Sequence, residues 1–295
     1  MSTTITANPI TTRKDIVLFV EVRDGNPNGD PDMGNAPRQD PSTGHGFITD
    51  VAVKRVIRDF VKDVVGEEQG YRIFVSDGAV LERSQQEAFE AVGAKEGEKD
   101  KAKDRQNDAA ARQWLCKNFF DIRAFGAVLA GKKFAASAVN GPVQVTFGRS
   151  VDPITYDEVT ITRCAVTSEK DEDKERTMGR KHIVPYALYR IEVRLSPYRA
   201  MGANGSGFTE ADAAVLETAL LEGFGHRRTA SKGHMETRAM FVFDHESALG
   251  NAPAYELFER VTAVKKVDHP RAYADYDVVV RDADLPEGVT LRRVR

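Results

Sequence analysis

The sequence is poor in cysteine and has no long apolar run, and each scarcity excludes a class of protein. Only Cys116 and Cys164 are present among 295 residues. They lie far apart and in neither a C-x-x-C nor a Cys/His ligand spacing, so a disulfide framework and a zinc finger are excluded. Two free thiols in a reducing compartment are expected. No stretch of eighteen or more apolar residues occurs, so no membrane span is expected. The opening MSTTITANPITTRKD lacks the basic-then-apolar order of a secretory signal, which points to a cytoplasmic location. Catalytic signatures are missing too. There is no G-x-x-x-x-G-K-[ST], no G-x-G-x-x-G after a strand, no H-E-x-x-H and no G-x-S-x-G. His45, His182, His226, His234, His245 and His269 show no paired ligand spacing, and neither a metal nor a cofactor is expected. An excess of positive charge is also absent. Lys and Arg total 42 against 45 Asp and Glu, a net charge of -3, whereas a simple nucleic-acid binder is basic. Any polyanion must therefore be met by local segments.

What is present is an ordinary soluble composition, 41% hydrophobic and 29% charged, with enough apolar material for a sizeable core. Residues 15–23 (DIVLFVEVR) are β-branched and nearly continuously apolar, and read as a central strand. Residues 24–50 are rich in Gly, Pro, Asn and Asp and read as a long loop without regular structure, a kind of segment that is usually functional. A helix is expected over 49–65, capped by Thr49 or Asp50, with Val53, Ile57, Phe60, Val61 and Val64 as its buried stripe. Lys54, Arg58 and Lys62 fall four apart on its exposed face, and Arg55 lies beside them.

Residues 66–140 read as a helical insertion, with a short strand over 71–75 and a small core of Trp114, Leu115, Phe119, Phe120, Ile122 and Phe125. Residues 141–147 alternate with period two, as a strand does. The charge-dense 168–181 reads as the tip of a two-stranded arm, and 186–195 as the next core strand. Thr209 opens a second helix, with Asp212 completing a short capping box and Val215, Leu216, Ala219 and Leu220 as its apolar side. A glycine-rich basic loop over 223–234 leads to a strand over 237–243, and a helix over 255–264 and a strand over 276–280 follow. The core order is strand, helix, strand, strand, helix, strand. That is the α+β ferredoxin-like βαββαβ order shared by RNA-recognition motifs.

Three segments carry chemistry. Asp24-x-Asn26-x-Asn28-Gly29 matches the opening of a calcium loop, but Asn35 stands where the closing Glu belongs, so a polar turn is the better reading. The helix bearing Lys54, Arg55, Arg58 and Lys62 follows a loop containing Arg38, and its free N–H groups suit a phosphate. In GFGHRRTASKG, glycines permit close backbone approach, Arg227, Arg228 and Lys232 supply charge, and Phe224 and His226 offer rings for base stacking.

The segment NPNGDPDMGNAPRQDPSTGHGFITDVAVKRVIRD, residues 26–59, resembles the signature of the backbone subunits of type I CRISPR Cascade complexes, with subtype I-C the nearest. FFDIRAFGAVL, GPVQVTFGRSVDPI and RKHIVPYALYRIEVRLSP are similar to the same family, and 223–233 resembles the glycine-rich loop of the wider repeat-associated RNA-binding superfamily. The resemblance implies a modified RNA-recognition-motif palm spanning 1–295. It further implies a finger-like insertion over 66–140, a thumb-like arm over 155–183 and a C-terminal extension over 245–295. It implies a non-catalytic subunit that stacks head-to-tail with copies of itself along a crRNA and exposes bases for pairing with target DNA. The large, small and crRNA-processing Cascade subunits would be its partners, and no membrane. By motif position, Arg38, Lys54, Arg55, Arg58 and the segment from Arg227 to Lys232 would meet the RNA. Related type III subunits cleave target RNA with a loop aspartate, so Asp30, Asp32 and Asp40 raise a nuclease as the alternative.

Overall fold

The long apolar run near the N-terminus forms one strand, β1 (Lys14–Gly25). Ile16, Leu18, Val20 and Val22 enter one core and Val17 and Phe19 another, so the strand is buried on both faces and its sequence does not alternate. A computed structural model describes residues 8–68, 70–94, 101–129, 136–162 and 178–295. After β1 come β2 (His45–Ile48) and α1 (Asp50–Phe60), which continues as a wider turn through Val61–Val65. Then follow α2 (Leu81–Ala91), α3 (Lys101–Asn118) and α4 (Phe120–Phe125). Strands β3 (Val143–Val145), β4 (Gly148–Pro153), β5 (Asp157–Thr162) and β6 (Met178–Leu195) precede α5 (Glu210–His226) and β7 (His234–His245). The chain continues through α6 (Ala254–Phe258), β8 (Val261–Lys265), β9 (Tyr276–Val280) and β10 (Val289–Arg293).

The main sheet runs β10-β7-β1-β6-β4-β2, with every neighbouring pair antiparallel. β3 pairs with the end of β6, and β5 pairs with its beginning. The fold is therefore mixed α and β around a large antiparallel sheet. Counting β3 and β4 as one run, the four central strands lie in the order fourth, first, third, second. Helices α1 and α5 cover one face through Val53, Ile57, Phe60, Leu216 and Leu220. The opposite face is closed by the C-terminal segment, where Leu257, Phe258, Val261 and Tyr276 pack on Val17, Phe19, Leu188 and Phe243. No helix among the described residues is long and apolar enough to cross a membrane.

Several local expectations are corrected. Residues 24–50 are not without regular structure. They hold a two-residue pairing of Gly29–Asp30 with Ala36–Pro37, a short turn of 3-10 helix and β2, which joins the main sheet. Val64 is exposed and leaves the stripe of α1. Residues 71–75 form no strand, because the Phe74 and Val75 N–H groups donate to the Asp121 carboxylate (2.8 and 3.0 Å). The helix expected over 255–264 stops at Phe258. The β-branched Val261, Thr262 and Val264 that follow pair with β9 instead.

In the insertion, Phe74, Phe89, Leu115, Phe119 and Ile122 form their own cluster, with Trp114 packed against it. Phe120 and Phe125 turn the other way and join the main core, so the short helix α4 holds the two cores together. Cys116 is buried in this cluster, and burial pushes its thiol up to about 11. Cys164 and the arm tip over 168–177 lie outside the described residues. The arm's base is the β5–β6 pairing, from Asp157 opposite Ile183 to Thr162 opposite Met178.

Candidate nucleic-acid interface

The start of α1 is tied to the loop before it. The Thr49 hydroxyl accepts from the Ala52 N–H (3.3 Å), as a cap should, while Asn28 Oδ1 accepts from both the Thr49 N–H (2.8 Å) and its hydroxyl (2.9 Å). Asn26 donates to the Asn35 carbonyl at 2.7 Å. Asn26 and Asn28 of the calcium-like segment thus tie together the loop and the cap of α1. Asp50 sits in the first turn of α1, so the phosphate expected at that helix start would meet a carboxylate.

The basic residues of α1 each have a partner, and the partners differ. Lys54 pairs with Asp50 at 2.9 Å along the helix. Arg55 pairs with Asp59, also four residues on, at 2.7 Å. Arg58 reaches across to the buried Asp121 (2.8 Å) and lies over the Phe125 ring, 5.2 Å from its centroid. With only 14% of its side chain exposed, Arg58 joins α1 to α4 and is not the free phosphate ligand expected of it. Lys62 is exposed beyond the end of α1. Arg38 pairs with Asp30 at 3.3 Å. Asp40 lies 3.6 Å from Arg149 and accepts from the Ser42 N–H, while Asp30 accepts from the Asp32 N–H at 3.1 Å.

The glycine-rich segment is shorter as a loop than its sequence suggests. Gly223 through His226 form the last turn of α5, and the loop proper spans 227–233. A β-carbon on Gly223 would stand 3.0 Å from Val56 Cγ1, so this glycine is where α5 packs closely on α1. Phe224 is consequently buried, 3% exposed, in the main core, and the base stacking expected of it is not available. His226 is exposed, with Nε2 3.2 Å from Asp63 Oδ2 and its ring edge-on to Phe60. The loop is fastened to the end of β1. The Asn26 N–H donates to the Ser231 carbonyl at 2.7 Å, and a β-carbon on Gly25 would lie 1.9 Å from the Lys232 carbonyl. Gly233, at φ +61°, would clash with the Asp24 carbonyl in the same way.

These contacts bring the two predicted segments onto one surface. Arg227 Nε lies 2.7 Å from Asp59 Oδ2, so one carboxylate joins Arg55 of α1 to Arg227 of the loop. Lys232 donates to the Pro27 carbonyl at 2.6 Å. Burial, reinforced by the nearby Arg227 charge, holds its ammonium down at about 8. Arg228 is exposed, donating to the Gly225 carbonyl and standing 3.8 Å from Glu236. The sequence reading missed Asp59 and Asp121, and gave Asn28 only as part of the calcium-like segment. Only Asp59 left a local signal, four residues after Arg55.

The family model described as CRISPR-associated protein Cas7 matches residues 12–281. The chain belongs to the Cas7 family. A curated CRISPR-associated protein Cas7 from Haloferax volcanii is 26% identical over 259 residues, spanning 79% of this chain and 71% of that protein. A chain of a solved CRISPR RNA-guided surveillance complex, pre-nicking, has a similar fold. Its TM-score is 0.50 at 17% identity, covering 79% of this chain and 76% of that one. A chain of another CRISPR RNA-guided surveillance complex gives a TM-score of 0.47 at 14% identity, covering 88% and 78%. Both α1 and the 227–233 loop lie within the Cas7-family match.

Proposed function

We propose that this Cas7-family chain is a non-catalytic crRNA-binding backbone subunit of a type I-C Cascade complex, stacking head-to-tail along the guide and presenting it to target DNA. The observation that carries the reading is the surface on which Arg55, Arg227 and Lys232 stand together, drawn from segments far apart in a chain of net charge -3. A local basic surface on a near-neutral chain suits a protein that holds a polyanion and also packs against copies of itself.

In this reading the sheet with α1 and α5 is an RNA-recognition-motif-like palm, for which the fourth-first-third-second strand order is the support. Residues 66–140 are the finger, 155–183 the thumb and 245–295 a C-terminal extension. An ordinary RNA-recognition motif stacks bases on its open sheet face. Here that face carries the C-terminal segment, which favours the α1 and loop surface for the RNA backbone. The guide would then be held by shape and phosphate, with specificity left to base pairing. The large, small and crRNA-processing Cascade subunits would be the partners.

The test is co-expression with the neighbouring Cascade subunits and a CRISPR array, followed by size exclusion with absorbance at 260 and 280 nm. A large particle carrying a discrete small RNA is expected. A nucleic-acid-free monomer contradicts the reading. Magnesium-dependent cleavage of a labelled target RNA by the purified chain would instead favour the nuclease.

A further inference from the structure

Asp59 is an acid in the middle of a basic surface. By charge alone it should repel the phosphate that its neighbours attract. Its geometry points the other way. Oδ1 holds Arg55 by Nε and Oδ2 holds Arg227 by Nε, both at 2.7 Å. A carboxylate at the rear nitrogen of a guanidinium leaves the outer pair, Nη1 and Nη2, to form a planar fork with a further anion. Arg55 and Arg227 have 42% and 25% of their side chains exposed, and Asp59 is the more sheltered partner of Arg55 at 24%.

We infer that Asp59 is a positioning residue for phosphate binding. It fixes two arginines from separate segments as a matched pair of forks across adjacent phosphates of a single-stranded RNA. This rests on the proposed function and adds to it the group that orders the site. An arginine otherwise loses much rotamer freedom when it binds, and a site already held in place avoids that loss. The pair is also a coincidence device. Arg227 directly follows α5 and Arg55 lies on α1, so the forks keep their spacing only while α1 and α5 are packed together.

The experiment measures binding of a fluorescein-labelled single-stranded oligouridylate to the purified full-length chain, with melting temperature recorded for each variant. Asp59→Asn is expected to bind on the order of tenfold more weakly despite the gain in positive charge, with an unchanged melting midpoint. Asp59→Glu should recover most of the affinity. In an Arg55→Lys, Arg227→Lys background, which keeps charge and removes the forks, Asp59→Asn should no longer weaken binding. Equal or tighter binding by Asp59→Asn, with Arg55→Ala, Arg227→Ala still weakened, overturns the positioning role and leaves the interface standing. Weakening that comes with a lowered melting midpoint and no rescue by Glu also overturns it, since Asp59 would then be a structural tie. If Arg55→Ala, Arg227→Ala binds like the wild type, the interface reading fails, and the role of Asp59 with it.

Discussion

Two of the arginine–aspartate sites in this molecule differ in burial, and burial gives them opposite jobs. At the joint between the insertion and the main core, Arg123 meets Asp212 through two hydrogen bonds (2.7 and 3.2 Å), with their side chains 9% and 3% exposed. Arg123 also donates to the carbonyls of Gly70, Cys116 and Lys117. Asp212 in addition caps α5 through its reciprocal bonds with Thr209. At the α1 surface, Arg55, Arg227 and Asp59 use the same chemistry while partly exposed. A buried pair cannot be opened without leaving a bare charge in the core, whereas an exposed pair exchanges its partner at little cost. The first arrangement fixes the frame, and the second leaves its arginines within reach of a ligand. Arg58 with Asp121 is intermediate in place but belongs with the first kind, because Asp121 is only 1% exposed.

The comparison breaks most visibly at the joint. Arg123→Ala should cost about 3–5 kcal/mol in chemical denaturation, the usual loss when one member of a buried pair is removed. A loss below about 1 kcal/mol would place this pair with the surface ones. Asp121→Asn comes next, at roughly 2–4 kcal/mol, since it weakens the grip on Arg58 and on the Phe74 and Val75 N–H groups. Limited proteolysis should then cut first within 66–140.

At the surface the signs reverse. Arg55→Ala, Arg227→Ala should leave stability within about 1 kcal/mol of wild type and weaken RNA binding on the order of tenfold or more. The smallest effect is one of pH. With Lys232 held down at about 8, its charge fades between pH 7 and 9. RNA affinity should fall modestly over that window and become flat in Lys232→Arg. Stability moves the other way. The unfolded chain keeps this proton up to the ordinary lysine range, so the penalty for burying the charge is full below pH 8 and is relieved progressively from there up to the unfolded value of 10.5. Parallel titrations of binding and thermal midpoint check the opposition.

What the sequence disclosed follows the same division. β1, α1 with its cap narrowed to Thr49 or Asp50, and the Thr209–Asp212 capping box are short-range patterns and were legible. The partners of Asp121 and Arg123 were not, because they lie 63 and 89 residues away and only packing brings them together. Gly223 misled, since glycine marks loops more often than it marks a close helix crossing, and Phe224 was assigned to a ligand for that reason. The basic residues themselves were visible by charge and spacing. Their carboxylate partners were not weighed, although Asp50, Asp59 and Asp63 stand in the same stretch.

The central claim is that the α1 and loop surface grips an RNA backbone. The most direct test is the salt dependence of oligouridylate binding, compared between wild type and Arg55→Ala, Arg227→Ala. The account predicts that the slope of log affinity against log salt shrinks by about 1.4, roughly 0.7 for each single-strand phosphate that an arginine no longer neutralises. An unchanged slope would mean that the RNA lies elsewhere on the protein.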